Sequence, residues 1–298
     1  MKKSQTSVIA QGIALIRALE FEKPSAERIC NDTLARKFIN PAFYWFGKLF
    51  AGFAERRNPG VMGFMAARCR YMDDYLEECL AGGIGQLVIL GAGLDSRAYR
   101  FDALKKMGRV FEVDQPATQS GKVGRIKKNF GRLPDHVGYV PIDLNTEDLR
   151  KLLSAGYDPG KKTLFIWEGV TPYLTADAVD RTLAFVAENS AAGSSIVFDY
   201  LYASALTAKE KRREILRMQR AQRFTGEGLI FGIQEGKIEE FLLARGFVGI
   251  VNATADDLHR KYFAGENWKR PVAPIYAIVH AAVAREPSES VPGFPIRT

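Results

Sequence analysis

The sequence predicts an α/β protein built on a doubly wound, mostly parallel sheet, and three observations predict it. From residue 86 onward, short apolar runs alternate with helical periodicity. Each apolar run is too brief for a helix and too continuously apolar for a half-solvated strand, as expected of strands covered on both faces. The first run ends in a glycine turn, "GAG" at 91–93, where a βα unit would bring its backbone close to a ligand.

The strands are read at 86–91 "QLVILG", 109–114 "RVFEVD", 137–142 "VGYVPI", 162–168 "KTLFIWE" and 194–200 "SSIVFDY". Helices are read between them at 95–107, 116–130, 146–156 and 176–191, the last with Val179, Leu183 and Val186 on one face. After a charged helical insertion over 202–235, "GKIEEFLLARGF" reads as a helix closed by Gly246. Two final strands, 247–254 and 274–284, lie too close together for another βαβ unit and suggest a terminal antiparallel hairpin. The expected division is one domain over 1–298. It comprises a helical cap segment (1–80), a core (81–201), a cap insertion (202–235), the C-terminal part of the sheet (236–284) and an extended, Pro-containing tail (285–298). The aromatic cluster in "NPAFYWFGKLFAGF" reads either as packing of the cap or as a wall over a substrate.

Composition narrows the function classes. The chain has 298 residues, 47% of them hydrophobic, which suits a packed core. Three cysteines without a C-x-x-C pair argue against a disulfide framework or zinc knuckle and fit a reducing, cytoplasmic setting. The basic start is followed by an apolar run that Gln11, Arg17 and Glu20 interrupt, so it reads as an amphipathic helix rather than a signal peptide. No stretch has the length of a membrane span. The net charge of +8 is concentrated in "KVGRIKKNFGR" (122–132) and in 202–235. Neither interleaves aromatic with basic residues as a single-strand groove would, so solvated helix faces are the expectation and nucleic acid is disfavoured.

The glycine turn carries the functional argument. A pyrophosphate-bearing cofactor asks for G-x-G-x-x-G, but Ser96 holds the sixth position. S-adenosylmethionine has an adenosine and no phosphates, so it needs the close approach without the anion cradle. Asp114 ends the second strand, 23 residues beyond Gly91, where an acid can accept both ribose hydroxyls; Glu112 is the nearby competitor. Asp143, in "PIDLN", is placed to accept from an adenine amino group while Leu144 packs near the ring. Glu168, in "WEGVTPYL", enters the same crevice. Asp73 and Asp74 are adjacent on a helix and point to different faces, so they read as arginine partners rather than a metal cluster, and no metal is expected.

The stretches "ARCRYMDDYLEECLAGGIGQLVILGAGLDSRAYR", "FEVDQP", "PIDL" and "EGVTPYL" resemble the leucine carboxyl methyltransferase family, in particular its bacterial S-adenosylmethionine-dependent branch. The resemblance is specific over about 60–200 and looser beyond. It implies a class I, Rossmann-like methyltransferase with a seven-stranded sheet and a helical cap. It also implies cofactor contacts at Gly91, Asp114, Asp143, Leu144 and Glu168, with Ala92, Gly93 and Gln115 beside them. An arginine would pair with the methionine carboxylate; Arg68 is expected to do so, with Arg70 as its rival in the same motif. Cys69 stands where the family usually has Thr or Val.

The expected activity is O-methylation of a carboxylate on a small molecule or peptide. A carboxylate is ionised at neutral pH and needs no base, and histidines are scarce: His136, His259 and His280. His259 is the one candidate base, for the alternative of a hydroxyl acceptor in natural-product metabolism, and Tyr173 a candidate for positioning the acceptor. His280 reads as a packed strand residue. A nucleic-acid methyltransferase and a non-catalytic cofactor-binding protein are the rival classes.

Overall fold

The computed structural model describes residues 8–207 and 228–284. The strands are β1 (Gln86–Leu90), β2 (Val110–Asp114), β3 (Val137–Pro141), β4 (Thr163–Trp167), β5 (Ser195–Leu201), β6 (Phe247–Ala253) and β7 (Tyr276–Val283). They form one sheet in the order β3-β2-β1-β4-β5-β7-β6. The first five are parallel, and β7 runs antiparallel between β5 and β6. This is the seven-stranded class I architecture with an antiparallel terminal hairpin. Strand order reverses between β1 and β4, so a crevice opens at the carboxyl ends of these neighbours.

Every residue of β1, β4 and β5 is buried, because helices cover both sheet faces. Alternation divides the side chains between two cores. Leu87 and Ile89 join Phe38, Phe64, Ala67, Met72 and Leu76 of the N-terminal helices. Val88 and Leu90 face the other way, onto Val179, Leu183 and Val186.

The N-terminal segment forms α1 (Val8–Phe21), α2 (Ala35–Phe38), α3 (Pro41–Arg57) and α4 (Val61–Ala81). Asn40 caps α3, accepting from the Ala42 and Phe43 backbone N–H groups, with Pro41 at the first helical position. The helix expected over 95–107 divides into α5 (Arg97–Arg100) and α6 (Asp102–Met107), because Phe101 is extended. Buried ion pairs claim Arg97 and Arg100 and override helical periodicity there. α7 (Pro116–Phe130) spans its expected range. The helix expected over 146–156 shrinks to α8 (Lys151–Ser154): Asp143 and Asp148 carboxylates accept from the backbone N–H groups two residues on and hold turns instead.

α9 (Ala176–Glu188) begins at the Thr175 cap. Of the insertion, α10 (Ala203–Thr207) and residues 228–235 are described; 208–227 and the tail 285–298 lie outside the described residues, as do 1–7. α11 (Ile238–Leu243) is followed by a left-handed Gly246, and α12 (Ala255–Tyr262) opens on a Thr254–Asp257 capping box. Among the described residues no helix is long and apolar enough to cross a membrane. The basic segment is not uniformly solvated, contrary to expectation. Lys122 is buried, 2.8 Å from the Glu112 carboxylate, which neutralises it inside the core.

Candidate functional site

Two neighbouring cavities lie beneath the N-terminal helices. The first, about 480 Å³, occupies the crevice at the carboxyl ends of β1 to β4. Its lining includes Gly91, Ala92 and Gly93 after β1, Asp114 and Gln115 after β2, Asp143 and Leu144 after β3, and Glu168 after β4. Arg68 and Tyr173 line both cavities. Thus the candidate cofactor residues are brought together around one space, whereas His259 is not. His259 lies on α12, its Nε2 3.0 Å from the Trp268 carbonyl and its ring stacked on Phe263. None of the three histidines lines either cavity: His136 meets the Ala98 carbonyl, and His280 packs on Tyr75 and meets the Tyr71 hydroxyl.

The glycine turn needs its glycines. Gly91 has φ +64° and Gly93 φ +42°, and a Cβ on Gly91 would lie 2.3 Å from Val170 Cγ2. Gly91→Ala is expected to lower the melting temperature by roughly 5–15 °C through left-handed strain and overpacking. A thermal melt followed by circular dichroism checks this.

Asp114 closes the turn from the other side. One carboxylate oxygen accepts from the Gly93 N–H at 2.5 Å and the other from the Gln115 N–H at 2.7 Å. Each retains a lone pair for a further donor. Burial pushes its pKa upward, and the two backbone donors pull only partly against that. Glu112, the competitor, is occupied by Lys122 and the Tyr99 hydroxyl and lines neither cavity.

The structure separates Arg68 from Arg70. Arg70 is half exposed, pairs with Asp74 at 2.6 Å and lies away from the cavities. Arg68, 1% exposed, donates from Nε to Glu168 (3.1 Å) and from Nη1 to Asp199 (2.7 Å). Its Nη2 is buried and has no hydrogen-bond partner among the described residues. Gly169, at φ +71°, lets the guanidinium lie against the backbone, since a Cβ there would sit 3.1 Å from both terminal nitrogens. The Gly169 N–H donates to Asp199 at 2.5 Å, so β4 and β5 together fix the arginine's orientation.

These contacts belong to a buried network. Glu168 also accepts from Arg97 at 2.7 Å; Arg97 meets Asp95 and Asp73, Arg100 meets Asp73 and Asp32, and Arg17 meets Asp32. Burial alone would raise the Glu168 pKa, but the Arg97, Arg68 and Arg17 guanidiniums outweigh it and hold the carboxyl well below its usual range. Asp199 is shifted the other way, burial exceeding the pull of Arg68. The chain from Asp199 to Arg17 links four guanidiniums with five carboxylates, one negative charge in excess. Around the first cavity itself the carboxylates Asp95, Asp114, Asp143 and Glu168 outnumber the guanidiniums Arg17 and Arg68, which favours a cationic guest. Arg17, which donates from Nη2 to the Leu94 carbonyl at 2.7 Å and lines the first cavity, and Asp199, which lines the second, were not singled out from sequence. A buried Arg17 on the apolar side of α1 is the only sequence signal for either, because their partners lie far along the chain.

A family profile described as leucine carboxyl methyltransferase matches residues 10–187. A Bacillus subtilis protein, YktD, is 33% identical over 286 residues, covering 89% of this chain and 93% of its own length. A Mycolicibacterium smegmatis protein is 34% identical over 215 residues, 68% of this chain and 66% of its own length, so here the chain spans just under two thirds of the relative. Both carry provisional designations as S-adenosyl-L-methionine-dependent methyltransferases. The crystal structure of a DUF574 family protein from Streptomyces avermitilis superposes with a TM-score of 0.57 at 14% identity, over 91% of this chain and 96% of that one, and shares the fold. The chain belongs to the leucine carboxyl methyltransferase family of S-adenosylmethionine-dependent methyltransferases.

Proposed function

We propose that the protein is an S-adenosylmethionine-dependent O-methyltransferase that esterifies a carboxylate. The observation that carries this reading is the convergence of Asp114, the 91–93 turn and Arg68 on one cavity, with Arg68 Nη2 buried and without a hydrogen-bond partner among the described residues. The residues fit the cofactor. In this reading Asp114 accepts from the ribose hydroxyls, and Asp143 and Leu144, which line the same cavity, meet the adenine. Arg68 Nη2 supplies the donor that a methionine carboxylate needs. The excess of carboxylates over guanidiniums around the first cavity suits a sulfonium.

When bound, S-adenosylmethionine supplies an electrophilic methyl group whose leaving group is a neutral thioether. The chain's own contribution is positioning and exclusion of water. Glu168 and Asp199 lock Arg68, and Tyr173, on the boundary between the cavities, is the candidate for orienting the incoming oxygen. With no histidine on either cavity, an acceptor already ionised at neutral pH is favoured. Asp199 on the second cavity, with its pKa raised, is the feature that favours a hydroxyl acceptor instead. Both its oxygens are taken by Arg68 and Gly169, which weighs against that role.

The test is transfer of a tritiated methyl group to metabolite fractions, followed by base. A methyl ester releases volatile labelled methanol, as expected here. Label that survives base would mark an ether and a hydroxyl acceptor, and absence of transfer to any fraction would contradict the proposal.

A further inference from the structure

The second cavity identifies the chemical class of the acceptor, an inference that rests on the methyl-transfer reading above. It is the larger of the two, about 630 Å³, and joins the first at Arg68, Gly169 and Tyr173. The polar groups Arg68, Asp199 and Tyr173 therefore stand at one end, where a methyl group would be delivered. Beyond them the walls are apolar. α4 contributes Met62 and Met65, α1 contributes Leu15 and Leu19, and α3 contributes Phe43 and Ala51. Along α4 the lining runs from Arg68 back to Val61, seven residues, or about 10 Å at the α-helical rise.

The far end turns polar again. Glu55 Oε2 and Asn58 Oδ1 are buried there without a hydrogen-bond partner among the described residues. Glu55 and Asn58 line this end, and an apolar body pushed beyond the hydrocarbon walls would meet polar side chains, so this end sets where the guest must stop. Phe46 and Phe50 line the space yet remain 66% and 45% exposed, which makes them the rim through which an apolar molecule enters. A hydrophilic peptide or a small polar acid would leave this wall wet and its own polar groups unanswered.

We propose that the methyl acceptor is an amphipathic carboxylic acid. Its carboxylate lies where the two cavities meet, beside Gly169 and Tyr173, with Arg68 left to the cofactor, and an aliphatic or aromatic body of ~10 Å, about eight carbons for a straight chain, fills the second cavity. The acceptor oxygen forms the bond to the methyl carbon as the carbon–sulfur bond breaks, giving a methyl ester and S-adenosylhomocysteine.

The test uses the full chain, tritiated S-adenosylmethionine, and three acceptors: acetate, octanoate, and a hydrophilic pentapeptide with a free C-terminal carboxylate. Octanoate should show a kcat/KM at least ~30-fold above both others, since burial is worth about tenfold for each pair of methylenes. Ala51→Trp, a filling substitution on the partly exposed α3, should lower the octanoate kcat/KM at least tenfold while the S-adenosylhomocysteine Kd stays within about twofold. That unchanged Kd also shows that the variant is folded. Acetate or the peptide matching octanoate, or octanoate left unmethylated by protein that binds S-adenosylhomocysteine, overturns the amphipathic acceptor and leaves the cofactor reading standing. Failure to bind S-adenosylhomocysteine at all overturns both.

Discussion

Asp114→Asn should weaken S-adenosylmethionine binding at least ~100-fold in a calorimetric titration while the fold is retained. The carboxylate already uses one lone pair on each oxygen for the Gly93 and Gln115 N–H groups, so it is rigidly aimed. Two charge-assisted hydrogen bonds to ribose hydroxyls are each worth about 1.5–3 kcal/mol, and the amide replaces one acceptor with a donor. The same aspartate predicts a pH dependence. Burial raises its pKa, so on acidification it takes up its proton at a higher pH than an ordinary aspartate would. Protonation removes charge and acceptor capacity, so wild-type affinity should fall as pH falls, starting above the usual aspartate range. Asp114→Asn should lack that component, and a wild-type affinity that stays flat or rises on acidification would contradict the assignment.

Arg68→Met should lower stability by ~3–5 kcal/mol at neutral pH, because it leaves Glu168 and Asp199 buried with their shared cation gone. For a chain of this size that corresponds to a fall in melting temperature of roughly 6–20 °C. The sign of the pH effect is diagnostic. In the wild type Glu168 is held below its ordinary pKa, so its contribution is complete above the ordinary carboxylate range and is lost progressively as pH falls from there through its depressed folded value. Without Arg68 the folded variant gains protons that the unfolded chain does not. Its deficit relative to wild type should therefore shrink between neutral pH and the carboxylate range. A melting-temperature deficit that stays constant or grows on acidification would show that Arg68 is not the counter-ion of this pair. A Kd for S-adenosylmethionine unchanged in folded variant would show that Nη2 does not face the cofactor.

Much of the sheet was legible because parallel strands buried on both faces must be short and apolar, and the crevice followed from where those runs end. Gly91, Asp114, Asp143 and Glu168 sit at strand termini, the positions that local order places best. The choice between Arg68 and Arg70 was partly legible too. Two residues on a helix stand some 200° apart, and Arg68 shares a face with Phe64, Met65 and Met72, whereas Arg70 shares one with Asp74. What sequence could not give was the buried charge chain. Arg17 reaches a carbonyl 77 residues away and Arg68 a carboxylate 131 residues away, and no local period encodes such partners. The same holds for Lys122, which reads as one more surface cation until β2 supplies Glu112. The aromatic run on α3 was ambiguous because amphipathic spacing is the same for a helix facing a core and one facing a ligand. Only the tertiary arrangement puts Phe43, Phe46 and Phe50 on a cavity and Tyr44 in the interior.

The most direct test of the site is a crystal structure grown with S-adenosylhomocysteine. Density is expected in the first cavity with the ribose hydroxyls on Asp114 and the amino-acid carboxylate on Arg68 Nη2. Density that places the ribose away from Asp114, or the carboxylate on another cation, would contradict that placement.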